Sequence, residues 1–222
     1  MIPNSSSIID ISSKVSDNNV SIQGKNSFYR VDYYREQFFE ESEFQTFIKA
    51  VEKLVRKSSE YSKFIYELKI NKGLSNCAIL SNIKDCEEES MAEIEFHHYP
   101  FTLYDICAVV TEKMLVNKER VSTFTVAKKV IDLHLKNKIG VVPLCVTVHQ
   151  LVHAGVIFVN INQVYGYYDK FVEEYEKEII DNGLMDTYNK IIEMSKQKIS
   201  YSKDDILNYI PLKERGAEDG SW

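Results

Sequence analysis

Residues 141–155, VVPLCVTVHQLVHAG, pass from an apolar run into a short segment that carries two histidines. His149 and His153 are four residues apart, so on a helix they share one face and can point at the same ion. Thr147 is a good N-cap for such a helix, and Gly155 suits the left-handed position after its last turn. The stretch therefore predicts a buried strand followed by a short helix with a pair of candidate metal ligands.

A second histidine pair lies in IEFHHYPFT, residues 94–102. Ile94 and Phe96 alternate with acidic residues before the pair, which is the pattern of a half-buried strand. Successive side chains of a strand point to opposite faces, so His97 and His98 are expected to have different environments. One of them can bind a metal while the other contacts water or substrate, because neutral imidazole serves both as a ligand and as a general base near neutral pH.

Taken in chain order, residues 94–102 and then 141–155, the two stretches resemble the motif of the HNH endonuclease family. Residues 144–153, LCVTVHQLVH, are similar to its closing part, and the His97-His98 pair is similar to its opening part, as in colicin-type DNases and phage HNH enzymes. Val148 stands where the family often has a second cysteine, so no structural zinc knuckle is expected. The resemblance implies a ββα-metal (His-Me) core and hydrolysis of phosphodiester bonds in DNA, in a phage-encoded protein.

The resemblance also implies a role for each site residue. His97, His149 and His153 would bind one divalent ion, with Mg, Mn, Ni or Zn left open. His98 would be the general base that activates water. Asn137 is the nearest candidate for the asparagine that orients the base in the family. The expected partner is DNA, and the expected enzyme is a metal-dependent endonuclease.

The expected fold class is α+β, with a ββα-metal core, a helical insertion, an N-terminal helical region and C-terminal helices. The insertion follows from the distance of 51 residues between His98 and His149, which is longer than the compact motif allows. Two capped apolar stripes within it predict two helices that bulge from the core. The predicted segments are a mobile or loosely ordered N-terminus (1–27), a helical region (28–73), the HNH-like domain (74–166, with insertion 102–138), and C-terminal helices with a polar tail (167–222).

Charge gives mixed support to a DNA partner. The net charge of −6 is unusual for a protein that binds polyanionic DNA, but residues 91–155 hold seven basic and six acidic residues, so the acidity lies outside the motif. Lysines of the insertion form the candidate phosphate-contacting surface, although a solvated helix face explains them equally well. The four chosen are Lys128, Lys129, Lys136 and Lys138.

Composition limits the remaining possibilities. With 222 residues, 44% hydrophobic and 27% charged, the chain fits a globular protein with no membrane partner. Its start lacks the basic and apolar regions of a signal peptide, so we expect a cytoplasmic location, in the host if the protein is phage-encoded. The four cysteines have no C-x-x-C spacing and are expected to be reduced and mostly buried.

Two alternatives to the endonuclease remain open at this point. One is a non-catalytic phage structural, regulatory or anti-defence protein that keeps a metal-stapled scaffold. The other is a nucleic-acid-binding module that uses the insertion helices. Metal-dependent cutting of DNA would separate the endonuclease from both. The fifth histidine, His134, is expected to be a hydrogen-bonded core residue.

Overall fold

The computed structural model describes residues 20–23, 28–31, 40–85 and 93–208. Most of the expected mobile N-terminus, Cys86 and the polar tail lie outside this part of the chain. The strands are β1 (Val20–Gln23), β2 (Phe28–Val31), β3 (Ile94–His98) and β4 (Val141–Cys145). The helices are α1 (Glu41–Lys57), α2 (Ser59–Ile70), α3 (Leu103–Val116), α4 (Thr123–Leu135), α5 (Val146–His153), α6 (Tyr168–Asp181), α7 (Leu184–Ser195) and α8 (Lys203–Asn208), with a 3-10 turn at Ile161–Gln163.

The fold is mixed α and β, which confirms the general class, but it is mostly helical, and an HNH core is not shown. The described strands form two antiparallel pairs, β1 with β2 and β3 with β4. In the second pair Ile94 lies opposite Cys145, and His98 lies opposite Val141. β4 is buried along its whole length, and in the described residues no helix is long and apolar enough to cross a membrane.

The larger hydrophobic core is built from α1, α2, α3, α4 and α6. α3 is buried on nearly every side, since residues 106–111 are all buried in succession. A helix that is apolar all round belongs in the interior of a protein. The two helices between the strands, expected to bulge outward, therefore form much of the core, and that expectation was wrong. Fully buried side chains at this centre are Ile48, Val51, Val109, Val110, Val126 and Val130.

A smaller core lies around β4 and α5. The apolar stretches at residues 77–83 and 156–161 have a composition that predicts strands, but they pack there as loops. Residues 77–83 form a tight loop, closed by a hydrogen bond from the Cys77 N–H to the carbonyl of Ile83. Residues 156–161 also form no strand. The free edge of β4 explains this, because Pro143 has no N–H to continue a ladder on that side. Along this side the Ala78 N–H donates to the Pro143 carbonyl at 2.8 Å, and Val141 forms an isolated bridge with Tyr165.

Gly140 allows β4 to begin directly beside the end of β3. The Tyr99 N–H donates to the Gly140 carbonyl at 3.0 Å. A Cβ atom at position 140 would collide with the backbone oxygen of Tyr99 and with the side chain of Val164. Only glycine lets these backbones approach so closely, so Gly140 holds the register of the strand pair that carries the histidines.

The C-terminal helices follow the predicted pattern. α6 and α7 are separated by Gly183, whose φ is +69°, and α8 begins after Ser202. The Ser202 hydroxyl and Asp205 exchange hydrogen bonds across the first turn, as a capping box requires. The division of the whole chain into four segments stays a prediction.

Candidate metal centre

Three histidines from β3 and α5 meet at one point on the surface. The Nε2 atom of His149 lies 3.0 Å from Nδ1 of His97 and 3.0 Å from Nε2 of His153. One ring nitrogen from each residue lies within 4.8 Å of the other two. Nitrogens at this spacing can each reach an ion about 2.0 to 2.1 Å away. The structure thus brings together the three residues predicted as metal ligands, and metal binding itself stays a prediction.

The local structure of α5 explains why His149 and His153 are available. The helix begins directly after β4, and its N-cap residue Cys145 makes no side-chain cap, so the predicted N-cap at Thr147 was wrong. The end of the helix is as predicted: Gly155 has a φ of +71°, and its N–H donates to the Val152 carbonyl at 3.0 Å.

Glu95 is the fourth member of the cluster. It lies two residues before His97, and therefore on the same face of β3. Its carboxylate is hydrogen-bonded to Nδ1 of His149. A carboxylate only accepts hydrogen bonds, so Nδ1 donates, and the Nε2 atom of a neutral His149 keeps its lone pair. That lone pair faces the other two histidines, which is the arrangement that carboxylates produce around metal-bound histidines.

Lowered pKa values favour the neutral forms of His97 and His153, which are the forms that bind a cation. Burial, with His149 and His153 as smaller causes, lowers the pKa of His97 to about 4. Partial desolvation and the neighbouring His149 also lower the pKa of His153. Metals bind neutral imidazole, so a lowered pKa removes competition from protons at neutral pH.

An open cleft of about 320 Å³ lies in front of the cluster. Besides the three histidines it is lined by Arg56, at the end of α1, and by Thr102, the N-cap of α3. Phe96, His98 and Leu103 complete the lining. The Arg56 side chain is 55% exposed, and its ion pair with Glu52 spans 3.8 Å. An ion held by the three histidines would keep one side open to this cleft.

His98 occupies the opposite face of β3, inside the helical core. It is 5% exposed, and its Nε2 atom lies 3.0 Å from Nε2 of His134. Tyr61 stacks on its ring, and burial lowers the pKa of His98 well below its usual range. The role of general base followed from the resemblance and stays a prediction: Nε2 is turned towards His134, while His98 also lines the cleft. His134 itself is hydrogen-bonded to the Val130 carbonyl at 2.7 Å, which confirms it as a satisfied core residue.

Asn137 is a turn residue in the structure. Its φ of +54° places it in the left-handed region just after α4, which asparagine tolerates better than most residues. Its backbone carbonyl accepts a hydrogen bond from the Tyr167 N–H at 2.6 Å. The positive φ favours an asparagine here, and the catalytic role of Asn137 stays a prediction.

The four lysines chosen as phosphate contacts divide into two groups. Lys128 and Lys136 are exposed. Lys129 forms an ion pair with Glu119 at 2.9 Å, and Lys138 forms one with Glu174 at 2.6 Å. Two of the four charges are therefore already balanced by carboxylates, and the surface is not a continuous basic patch.

Sequence reasoning missed Glu95 and Arg56 as neighbours of the cluster. Glu95 could have been found, since strand alternation places it on the same face as His97. Arg56 is brought to the cleft by the packing of α1, which no local pattern reveals.

A family model described as Bacteriophage G278-like virion protein matches residues 2–215 of the chain. The match covers nearly all of the sequence, so the chain belongs to this family. No curated protein and no solved structure matches the chain significantly. The assignment to the HNH endonucleases was therefore wrong, whereas a phage origin is consistent with the family. The resemblance failed because it was built on a few histidines in under half of the chain, and such short patterns recur by chance.

Proposed function

We propose that this member of the G278-like virion protein family is a structural component of the phage particle, in which His97, His149 and His153 bind one divalent ion that fastens β3 to α5. The family match over residues 2–215 supports the structural role. The convergence of the three imidazoles supports the metal. The expected place of action is then the particle, in which the protein is incorporated after its synthesis in the host cytoplasm.

The ligand set favours zinc or nickel among the four ions left open by the sequence. Imidazole nitrogen suits these ions, whereas Mg²⁺ prefers carboxylate, carbonyl and water oxygens. Three histidines leave one position of a tetrahedral zinc ion open towards the cleft. A structural zinc site is closed by four protein ligands, so a group from a neighbouring protein would fill that position.

The ion would supply stability that packing does not give. α5 has eight residues, and only Val148 among them is buried. A helix this short is marginal in water by itself. A bond from His97 on β3 to both histidines of α5 would hold the helix against the strand pair, and the binding free energy would add to the stability of the folded chain.

Isothermal titration with zinc tests the metal directly. The wild-type chain is expected to bind one ion per chain, and His149→Ala is expected to lose at least tenfold in affinity, because His149 contacts both other ligands. Gln150→Ala is the matched control, since Gln150 is exposed on the same helix. Equal affinity for all three proteins would refute the site.

Proteomic analysis of density-purified particles tests the structural role. Peptides of this chain should be present at a constant ratio to other particle proteins. Finding the chain only in infected-cell lysate would contradict the proposal.

A plasmid-nicking assay with Mg²⁺, Mn²⁺, Ni²⁺ and Zn²⁺ distinguishes a structural protein from an endonuclease. The structural role predicts intact DNA, and cleavage that disappears in His97→Ala would overturn it.

A further inference from the structure

Two buried cysteines face each other in the smaller core. Cys77 lies in the loop that packs on β4, and Cys145 is the last residue of β4. They are 1% and 5% exposed, and their side chains are hydrogen-bonded to each other. The hydrogen bond from the Ala78 N–H to the Pro143 carbonyl fixes the loop beside the strand at this point. Both thiols are free in the structure.

The surroundings of Cys77 favour its thiolate. Its sulfur accepts a hydrogen bond from the Leu80 N–H at 3.4 Å. The hydrogen bond from Cys145, with smaller contributions from backbone N–H groups, lowers the pKa of Cys77 to about 6. The same contact raises the pKa of Cys145. One member of the pair is therefore the nucleophile, and the other holds the proton.

We propose that Cys77 and Cys145 are a modification site, at which a disulfide forms when the chain passes from the reducing cytoplasm to the oxidising exterior. Disulfides are rare in the cytosol and persist on virions. The location in a released particle rests on the proposed function, whereas the capacity to form the bond rests on the two cysteines alone.

Hydrogen peroxide can supply the two oxidising equivalents that the disulfide requires. The Cys77 thiolate attacks one peroxide oxygen, the O–O bond breaks, and the departing hydroxide takes up a proton to become water. The sulfur of Cys145 then attacks the sulfenic sulfur of Cys77, the S–O bond breaks, and the hydroxide combines with the Cys145 proton. Two thiols and one peroxide thus give one disulfide and two waters.

The bond would connect the loop to the point where α5 begins. Cys145 directly precedes Val146, the first residue of α5, and lies four residues before His149. The covalent loop from Cys77 to Cys145 encloses β3, α3 and α4. Closing so long a loop lowers the conformational entropy of the unfolded chain, so the oxidised form should be markedly more stable.

Peptide mapping of the full-length chain tests the bond itself. The reduced protein is treated with hydrogen peroxide in the presence of a metal chelator, digested without reductant, and analysed by mass spectrometry. We expect a Cys77–Cys145 linked peptide, a loss of two hydrogens in intact mass, and a rise in Tm of roughly 10 °C that a reductant reverses.

Two variants serve as matched controls. Cys86→Ala removes another thiol near Cys77 in sequence, and Cys107→Ala removes a buried thiol in the other core. Both are expected to keep the linked peptide, whereas Cys145→Ser should lose it. If the wild-type chain gives no linked peptide, or links Cys77 to Cys86 instead, the proposal is overturned even if the particle and metal experiments succeed. If the Cys77–Cys145 linked peptide forms but particles lack the protein, the disulfide proposal stands and only the proposed function fails.

Discussion

Replacing Glu95 by glutamine should weaken metal binding without abolishing it. The Glu95 carboxylate bonds Nδ1 of His149, and so fixes the tautomer and orientation of the central ligand. Glutamine can still accept this hydrogen bond, but it carries no charge to strengthen the imidazole as a ligand. Loss of such a supporting carboxylate typically costs about 10- to 100-fold in metal affinity.

The expected change in stability follows from the same range. With free zinc held at 100 times the wild-type Kd, binding stabilises the folded wild-type chain by about 2.7 kcal/mol. At the same zinc concentration the variant would gain only about 0.4 to 1.4 kcal/mol. For a chain of this length each kcal/mol moves the Tm by about 2 to 4 °C, so the zinc-dependent rise should fall from roughly 5–11 °C to roughly 1–6 °C.

Thermal unfolding in zinc-buffered and chelator-containing solutions measures this difference. Glu93→Gln is the matched control, because it makes the same change in charge at an exposed position two residues earlier. The Glu95 side chain is 41% exposed, so the two variants should have similar Tm values without metal. A zinc-dependent rise that is the same in Glu95→Gln as in wild type would show that the Glu95 carboxylate does not support the metal site, as would an equal loss in Glu93→Gln.

Two further predictions concern stability. The pKa values of His97 and His134 are lowered to about 4 and that of His98 well below its usual range, mainly by burial, so the unfolded chain binds protons that the folded chain does not. The free energy of unfolding of the metal-free chain should therefore be highest above about pH 6.5 and decrease as the pH drops towards 4. Equal urea midpoints at pH 7 and pH 5 would contradict this. Gly140→Ala should lower soluble yield and Tm strongly because its Cβ meets backbone, whereas Gly155→Ala, with no neighbouring atom within 4 Å, should cost only the strain of its positive φ. Similar Tm values for the two alanine variants would show that the contact at Gly140 is unimportant.

The cluster of histidines was predictable because it depends on local periodicity. A spacing of four on a helix and alternation on a strand determine which side chains share a face, and both patterns are short-range. Glu95 obeys the same rule and could have been included. The pairing of His98 with His134 was not predictable, because it depends on how α4 packs against β3.

The core arrangement was predicted less well for a physical reason. Amphipathic stripes identified α3 and α4, but they do not say what each helix packs against. The run of buried residues at 106–111 indicates a helix surrounded by protein, and α1 and α6 provide those surroundings from distant parts of the chain. Segments 77–83 and 156–161 have strand-like composition, yet they lack an edge to pair with, because Pro143 interrupts the free side of β4.

X-ray absorption at the zinc edge, on the full-length chain loaded with one equivalent of zinc, identifies the ligands of the bound ion. We expect three imidazole nitrogens at about 2.0 to 2.1 Å and no sulfur ligand, with this signal lost when His97, His149 and His153 are all replaced by alanine. A first shell that contains sulfur at about 2.3 Å would place the ion at the cysteines instead, and a shell without imidazole would contradict the site altogether.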